Sequence, residues 1–124
     1  MANFGIVLID DLRSFVKPQP DALVIRALPE AMEWLKNLSV HDTIEQLWLD
    51  HDLGEDANSD IMEIIPFVNQ LEEMAYFKNA PVIDEIIIHT SNSVGAKKMI
   101  DALSRFFLVT RLEQAELATY LVQE

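Results

Sequence analysis

Short runs of apolar residues recur along the chain and alternate with segments in which the apolar residues have helical spacing. The first run, Phe4–Asp10, is too short for a helix and rich in β-branched residues, which favours a strand buried on both faces. Four later runs have a similar character. The predicted strands are Phe4–Asp10, Ala22–Ala27, Gln46–Asp50, Val82–His89 and Phe106–Thr110.

Apolar residues at helical spacing follow the last four of these strands. The first predicted helix begins at Pro29 and has apolar positions as far as Leu38. The other three cover Ile61 to about Phe77, Val94–Ser104 and Glu113–Val122. Pro66 lies only about a turn and a half after Ile61, so we expect a kink there or a later start of that helix. The first crossover, Asp11–Asp21, contains two prolines and has no helical spacing. Its helix is therefore predicted to be short or missing.

The alternation of strands and helices predicts a doubly wound α/β fold, in which helices cover both faces of a parallel sheet. For five strands the commonest order is 2-1-3-4-5. The chain has 124 residues, which is within the usual size of one domain, and no segment has the composition of a linker. We therefore predict a single domain spanning residues 1–124.

Polar side chains follow the predicted strands at the edge where such sheets bind ligands. They are Asp10, Asp11 and Arg13 after strand one, Asp50, His51 and Asp52 after strand three, His89, Thr90, Ser91 and Asn92 after strand four, and Thr110 and Arg111 at the end of strand five. Strands one, three and four are neighbours in the predicted order. We therefore expect their polar side chains to converge in one solvated crevice.

The side chains in this crevice favour acid–base chemistry or a bound cation. Carboxylates that lie a few ångströms apart either share a proton or hold a hard cation, so Asp10, Asp11 and Asp50 are candidate ligands for Mg²⁺, Mn²⁺ or Ca²⁺. His51 and His89 are candidates for base and acid near neutral pH, oriented by Asp50 and Asp52. We expect His89 to face the solvated crevice and to contribute little to stability.

The start of the third predicted helix resembles a phosphate-binding segment. Asn92, Ser93 and the first backbone N–H groups of that helix can cradle a phosphate, with Thr90, Ser91 and Arg13 as further ligands. Gly95 allows the backbone to approach a ligand closely. Alternatively, Asn92 only caps its helix, and Asp50 or Asp52 only ends a turn. His41 lies in a surface connection, where we expect it to be solvated.

The charge of the chain limits its partners. It has 21 acidic and 9 basic residues and a net charge of −12, and the stretch from Asp42 to Glu85 contains twelve acids and one base. Such a surface repels phosphates, so no binding to duplex DNA is expected. The acidic stretch is a solvated face, a cation site or a docking surface for a basic protein partner.

The sequence also bears on cysteine-based sites and on membrane-spanning segments. The chain has no cysteine, which excludes disulfides, thiolate nucleophiles and cysteine-ligated metals. No apolar run approaches the ~20 residues that span a bilayer. We expect a cytoplasmic protein.

Three sequence pieces resemble the cyclic-phosphate processing receiver domains, a family of bacteria and their phages derived from the receivers of two-component signalling. The pieces are Asp10-Asp11-x-Arg13, Leu49-Asp50-His51-Asp52-Leu53-Gly54 and His89-Thr90-Ser91-Asn92-x-x-Gly95-x-x-x-Met99. The resemblance implies a flavodoxin- and receiver-like fold. It also implies a phosphoesterase that uses two histidines on a small cyclic phosphate, such as a nucleotide or RNA 2′,3′-cyclic end.

Two other functions stay open at this point. An ordinary receiver would hold Mg²⁺ with Asp10 and Asp11 and accept a phosphoryl group on Asp50, with Thr90 or Ser91 as the switch hydroxyl. It would also carry a lysine at the end of strand five, where this chain has Thr110-Arg111. The other alternative is a non-catalytic, receiver-like adaptor, phage-encoded, that docks on a protein partner through its acidic face.

Overall fold

The computed structural model describes residues 1–55 and 58–123. In chain order the elements are β1 (Ile6–Ile9), β2 (Arg13–Phe15), β3 (Leu23–Ile25), α1 (Leu28–Lys36), β4 (Thr43–Leu49), β5 (Asp52–Glu55), β6 (Ile61–Glu63), α2 (Ile65–Tyr76), β7 (Val82–Ile88), α3 (Ser93–Leu103), β8 (Val109–Arg111), α4 (Gln114–Tyr120) and β9 (Leu121–Gln123). None of the described helices is both long and apolar enough to cross a membrane.

The central sheet has five parallel strands in the order β3-β1-β4-β7-β8. Counted along the chain within this sheet, the order is 2-1-3-4-5, so the predicted receiver-like fold is confirmed. Parallel pairing brings the carboxyl ends of β1, β4 and β7 together at one edge, since Ile9 pairs with Leu49 and Leu49 with Ile88. The next residues along these strands are Asp10, Asp50 and His89.

The two faces of the sheet are covered differently. Helices α1, α2 and α3 bury the larger apolar core, in which Phe67, Leu71 and Met99 are fully buried. On the opposite face, α4 and β9 cover a smaller cluster centred on Leu8 and Trp48. Alternate residues of each strand therefore face two different environments.

The first crossover has no helix, as the prolines predicted, but it contains a strand that the sequence did not reveal. Strand β2 pairs antiparallel with β9, and Phe15 lies opposite Leu121. The predicted last helix, which was expected to reach Val122, ends at Tyr120. Residues with helical spacing become a strand here because β2 offers backbone partners that only the folded chain supplies.

The connection after β4 also differs from the prediction. Helix α2 begins at Ile65 and not at Ile61, which puts Pro66 in the first turn, where its missing N–H costs no hydrogen bond. The later start allowed for in the sequence analysis is thus confirmed. Ile61–Glu63 instead forms a short antiparallel ribbon with Asp52–Glu55.

The fifth strand begins later than predicted. The N–H groups of Phe106 and Phe107 both donate to the carbonyl of Leu103, so these residues continue the turn after α3. Pairing with β7 begins only at Val109.

Candidate functional site

Asp10 follows β1 and is fully buried. Its Oδ1 accepts the backbone N–H groups of Leu12 and Arg13, both at 2.9 Å. Its Oδ2 lies 2.9 Å from His89 Nε2 and 3.3 Å from Arg13 Nη1. Burial raises the pKa of Asp10, but hydrogen bonds from His89, Leu12 and Arg13 outweigh it and lower the pKa to about 2. Asp10 is therefore an ionised carboxylate with four donors.

Asp50 occupies the matching position after β4 and is also buried. Its Oδ1 accepts the N–H of His51 at 2.8 Å, and its Oδ2 lies 3.3 Å from Arg13 Nη1. Burial and then the charge on Asp10 raise the pKa of Asp50 to about 7, although Arg13 and the His51 N–H act in the other direction. Asp50 therefore holds a proton more readily than an ordinary aspartate does.

A third carboxylate completes a cluster. Asp10, Asp11 and Asp50 each offer an oxygen, and these oxygens lie within 4.8 Å of one another. Partial burial and the charge on Asp10 raise the pKa of Asp11. Gly54 has φ +81°, and a Cβ there would lie 3.2 Å from Asp11 Oδ2, so glycine lets β5 lie against this carboxylate. An oxygen-only donor set of this kind suits a hard divalent cation.

His51 is buried between Asp52 of β5 and the start of α3. Its Nδ1 lies 2.8 Å from Asp52 Oδ1 and 3.4 Å from Asn92 Nδ2. Because the shorter contact is to a carboxylate oxygen, we assign the proton to Nδ1. A Cβ on Gly95 would lie 2.2 Å from His51 Cδ2. Gly95 thus makes room for the His51 ring, whereas the sequence analysis expected it to admit a ligand.

His89 lies elsewhere than expected. Its side chain is 0% exposed, its ring centroid is 6.0 Å from that of Trp48, and its Nε2 contacts Asp10. Among the described residues, His89 Nδ1 has no hydrogen-bond partner. The expectation that His89 faces a solvated crevice is wrong, because β7 directs this side chain toward the face that Trp48 covers.

The three polar residues after His89 have different surroundings: Thr90 and Asn92 make hydrogen bonds at the start of α3, and Ser91 is exposed. Thr90 is buried, and its Oγ1 accepts the N–H of Asn92 at 3.1 Å. Asn92 Oδ1 accepts the N–H of Gly95 at 2.9 Å, which caps α3. Ser91 is exposed. The structure thus shows that Asn92 both caps its helix and contacts His51.

Sequence reasoning missed Arg26, which follows β3. Its Nη1 donates to the carbonyl of Asp10 at 3.3 Å and to the carbonyl of Arg13, and its Nη2 donates to Ser14 Oγ at 2.9 Å. Arg26 therefore fixes the loop that carries Asp11 and Arg13. A basic residue at the end of a strand next to β1 was the available signal.

A cleft of about 330 Å³ opens beside the carboxylates. Its lining is formed by Asp11, Leu12, Arg13, Asp50, Asp52, Gly54, Glu55 and Ile61. A cleft of about 350 Å³ at the opposite edge of the sheet is lined in part by Gly5, Asp21 and Glu45. No group of three candidate metal ligands converges there among the described residues. The cleft beside Asp50 is therefore the candidate ligand site.

A family model described as the cyclic-phosphate processing receiver domain matches residues 6–105. The chain belongs to this family. The matched range includes every residue of the site from Asp10 to Gly95 and stops before β8, α4 and β9. Searches of curated proteins and of solved structures found no match. Membership in the cyclic-phosphate processing receivers thus rests on the part of the chain that forms the candidate site.

Proposed function

We propose that this cyclic-phosphate processing receiver binds and hydrolyses a small cyclic phosphate in the cleft beside Asp50. The observation that carries the proposal is the convergence of the carboxylate cluster, Arg13 and the His51–Asp52 pair on one edge of the sheet. A small nucleotide with a 2′,3′-cyclic end fits an acidic chain better than a long RNA does, because fewer phosphates are repelled. Such a substrate and the lack of cysteine are consistent with a cytoplasmic location.

Asp10, Asp11 and Asp50 are the residues that would hold a divalent cation, with Mg²⁺ as the first candidate. A cation there would polarise a phosphoryl oxygen and offset the charge of the substrate. Arg13 lines the cleft and carries the positive charge that the phosphate needs. Ser91, exposed at the start of α3, is a further phosphate ligand.

His51 is the proposed base. Asp52 holds its Nδ1 proton, which leaves Nε2 of the neutral ring as the atom that accepts a proton from water. The water oxygen forms a bond to phosphorus, and one ester P–O bond of the ring breaks. The proton then passes from Nε2 to the ester oxygen that leaves, so the product is a phosphomonoester.

His89 has a different part in this proposal. Its Nε2 contacts Asp10 Oδ2, so it acts through Asp10 by holding that carboxylate in place. Thr90 acts similarly on the start of α3 through Asn92.

The test is hydrolysis of a 2′,3′-cyclic nucleotide with millimolar Mg²⁺, followed by ³¹P NMR. His51→Gln should lose most of the turnover, since a positioned base contributes ~10²–10⁴-fold. His41→Gln is the matched control, because His41 is exposed. If the wild type neither binds nor hydrolyses a cyclic phosphate, with or without divalent cations, the proposal is wrong.

A second candidate function, docking on a basic protein partner, is favoured by a surface at the end of α2. A cleft of about 310 Å³ there is lined in part by Glu72, Glu73, Tyr76, Phe77 and Phe106. Tyr76 and Phe77 are 69% and 62% exposed, and clustered exposed apolar side chains mark interaction sites. A partner captured by the wild type should be lost on Glu72→Lys with Glu73→Lys, while cyclic-phosphate binding stays unchanged.

A further inference from the structure

Arg13 places a positive charge between two of the carboxylates. Its Nη1 lies 3.3 Å from Asp10 Oδ2 and 3.3 Å from Asp50 Oδ2. Asp10 and Asp50 are also two of the three residues that could share a metal ion. A protein cation thus contacts the same carboxylates that a divalent cation would need.

The hydrogen bonds of Asp10 show which donor a metal ion would have to replace. A carboxylate has about four lone-pair sites, and Asp10 uses them on two backbone N–H groups, His89 Nε2 and Arg13 Nη1. The backbone N–H groups are those of Leu12 and Arg13, where the chain enters β2, and His89 is fully buried. The Arg13 side chain is 28% exposed, so of the four donors its guanidinium is the one with room to leave.

The backbone of Arg13 is held while its side chain reaches the cleft. Arg13 pairs with Gln123 between β2 and β9, and its carbonyl accepts a hydrogen bond from Arg26. Arg13 also lines the cleft of about 330 Å³. Rotation of the side chain alone can therefore carry the guanidinium away from Asp10 without moving the loop.

We propose that Arg13 is the resident counter-ion of Asp10 and Asp50, and that a divalent cation displaces it into the cleft. This inference rests on the cation site of the proposed function. The displaced guanidinium is then available to a phosphate, for which it is a strong bidentate donor. Cation and phosphate binding therefore reinforce each other through one side chain.

The sign of one mutational effect tests this exchange. Arg13→Gln removes the competing charge, so its affinity for Mg²⁺ should rise about tenfold or more, within the usual range of coupling between two sites. Isothermal titration calorimetry at about pH 8.5 gives the dissociation constants. Arg105→Gln is the matched control, since it removes the same charge from an exposed arginine that pairs with Glu72, and it should leave the Mg²⁺ affinity unchanged.

A second measurement separates exchange from a purely structural role. In EDTA, Arg13→Gln should melt below the wild type, because Asp10 and Asp50 lose their counter-ion. At saturating Mg²⁺ this difference in melting temperature should close or reverse. A difference that is the same in both conditions contradicts the exchange.

The outcomes distinguish this inference from the proposed function. If the wild type binds Mg²⁺ and Arg13→Gln binds it equally or more weakly, Arg13 is not a competitor and the cation site stands. If neither protein binds Mg²⁺, both the cation site and the exchange are wrong.

Discussion

Asp10 and Asp50 occupy equivalent positions after adjacent strands, and both are buried, yet their pKa values lie on opposite sides of the ordinary value. The pKa of Asp10 is about 2 and that of Asp50 about 7. From the described residues, Asp10 receives four hydrogen bonds, whereas Asp50 receives two and lies beside the charge of Asp10. Pairs of carboxylates whose environments separate their pKa values in this way divide functional roles. We therefore propose that Asp10 is the anchor of the site and that Asp50 is the group that exchanges a proton or cation.

The largest expected effect comes from removing the buried partner of Asp10. His89→Ala removes a hydrogen bond to the buried Asp10 carboxylate and leaves a cavity, so the free energy of unfolding should fall by about 3–5 kcal/mol. Urea denaturation at pH 7 measures it. His41→Ala, at an exposed position, should change stability by less than about 0.5 kcal/mol. A His89→Ala variant as stable as the His41→Ala variant would mean that Asp10 does not depend on His89.

The second prediction concerns the pH dependence that Asp50 imposes. Its pKa is raised to about 7 in the folded protein from about 3.9 in the unfolded chain, so the folded protein binds more protons between these values. Stability therefore falls as pH rises from about 4 to about 7. At about 1.4 kcal/mol per pKa unit, Asp50 lowers the free energy of unfolding by at most about 4 kcal/mol over this pH range.

Asp50→Asn tests this dependence. The amide cannot ionise, so the part of the fall that Asp50 causes should disappear, and the variant should be more stable than the wild type above pH 7. Asp10→Asn should do the opposite at pH 7, because it exchanges a fully hydrogen-bonded carboxylate for an amide. Denaturation curves across the pH range, without divalent cations, measure both. Equal effects of the two substitutions would abolish the contrast between the two aspartates.

The smallest expected effect comes from Arg26, which donates hydrogen bonds to the carbonyls of Asp10 and Arg13. Arg26→Gln removes hydrogen bonds to two carbonyls and to Ser14, so stability should fall by about 1.5–3 kcal/mol. The pKa of Asp50, followed by NMR of its side-chain carbon, should stay near 7, because its shift is caused by burial and by Asp10, Arg13, His51 and Asp11. A large shift of that pKa would show that the two sides are not separate.

The chemistry at the edge of the sheet was predictable from the sequence because it depends on strand order. Once β1, β4 and β7 are recognised as neighbours, Asp10, Asp50 and His89 must follow their ends at the same edge. The environment of each side chain was not predictable. His89 contacts Asp10 across 79 residues of sequence, and Arg13 contacts Asp50 across 37, so no local pattern distinguishes a buried histidine from a solvated one.

The amino-acid sequence by itself determined the five parallel strands, their order and the polar residues after them, because buried strands need local apolar runs that can be read along the chain. Tertiary structure decided the rest. Strands β2 and β9 exist because each supplies the backbone partners of the other. Arg26 acquires its role because β3 lies beside β1. The opposite pKa shifts of Asp10 and Asp50 arise because packing gives one carboxylate four donors and the other two.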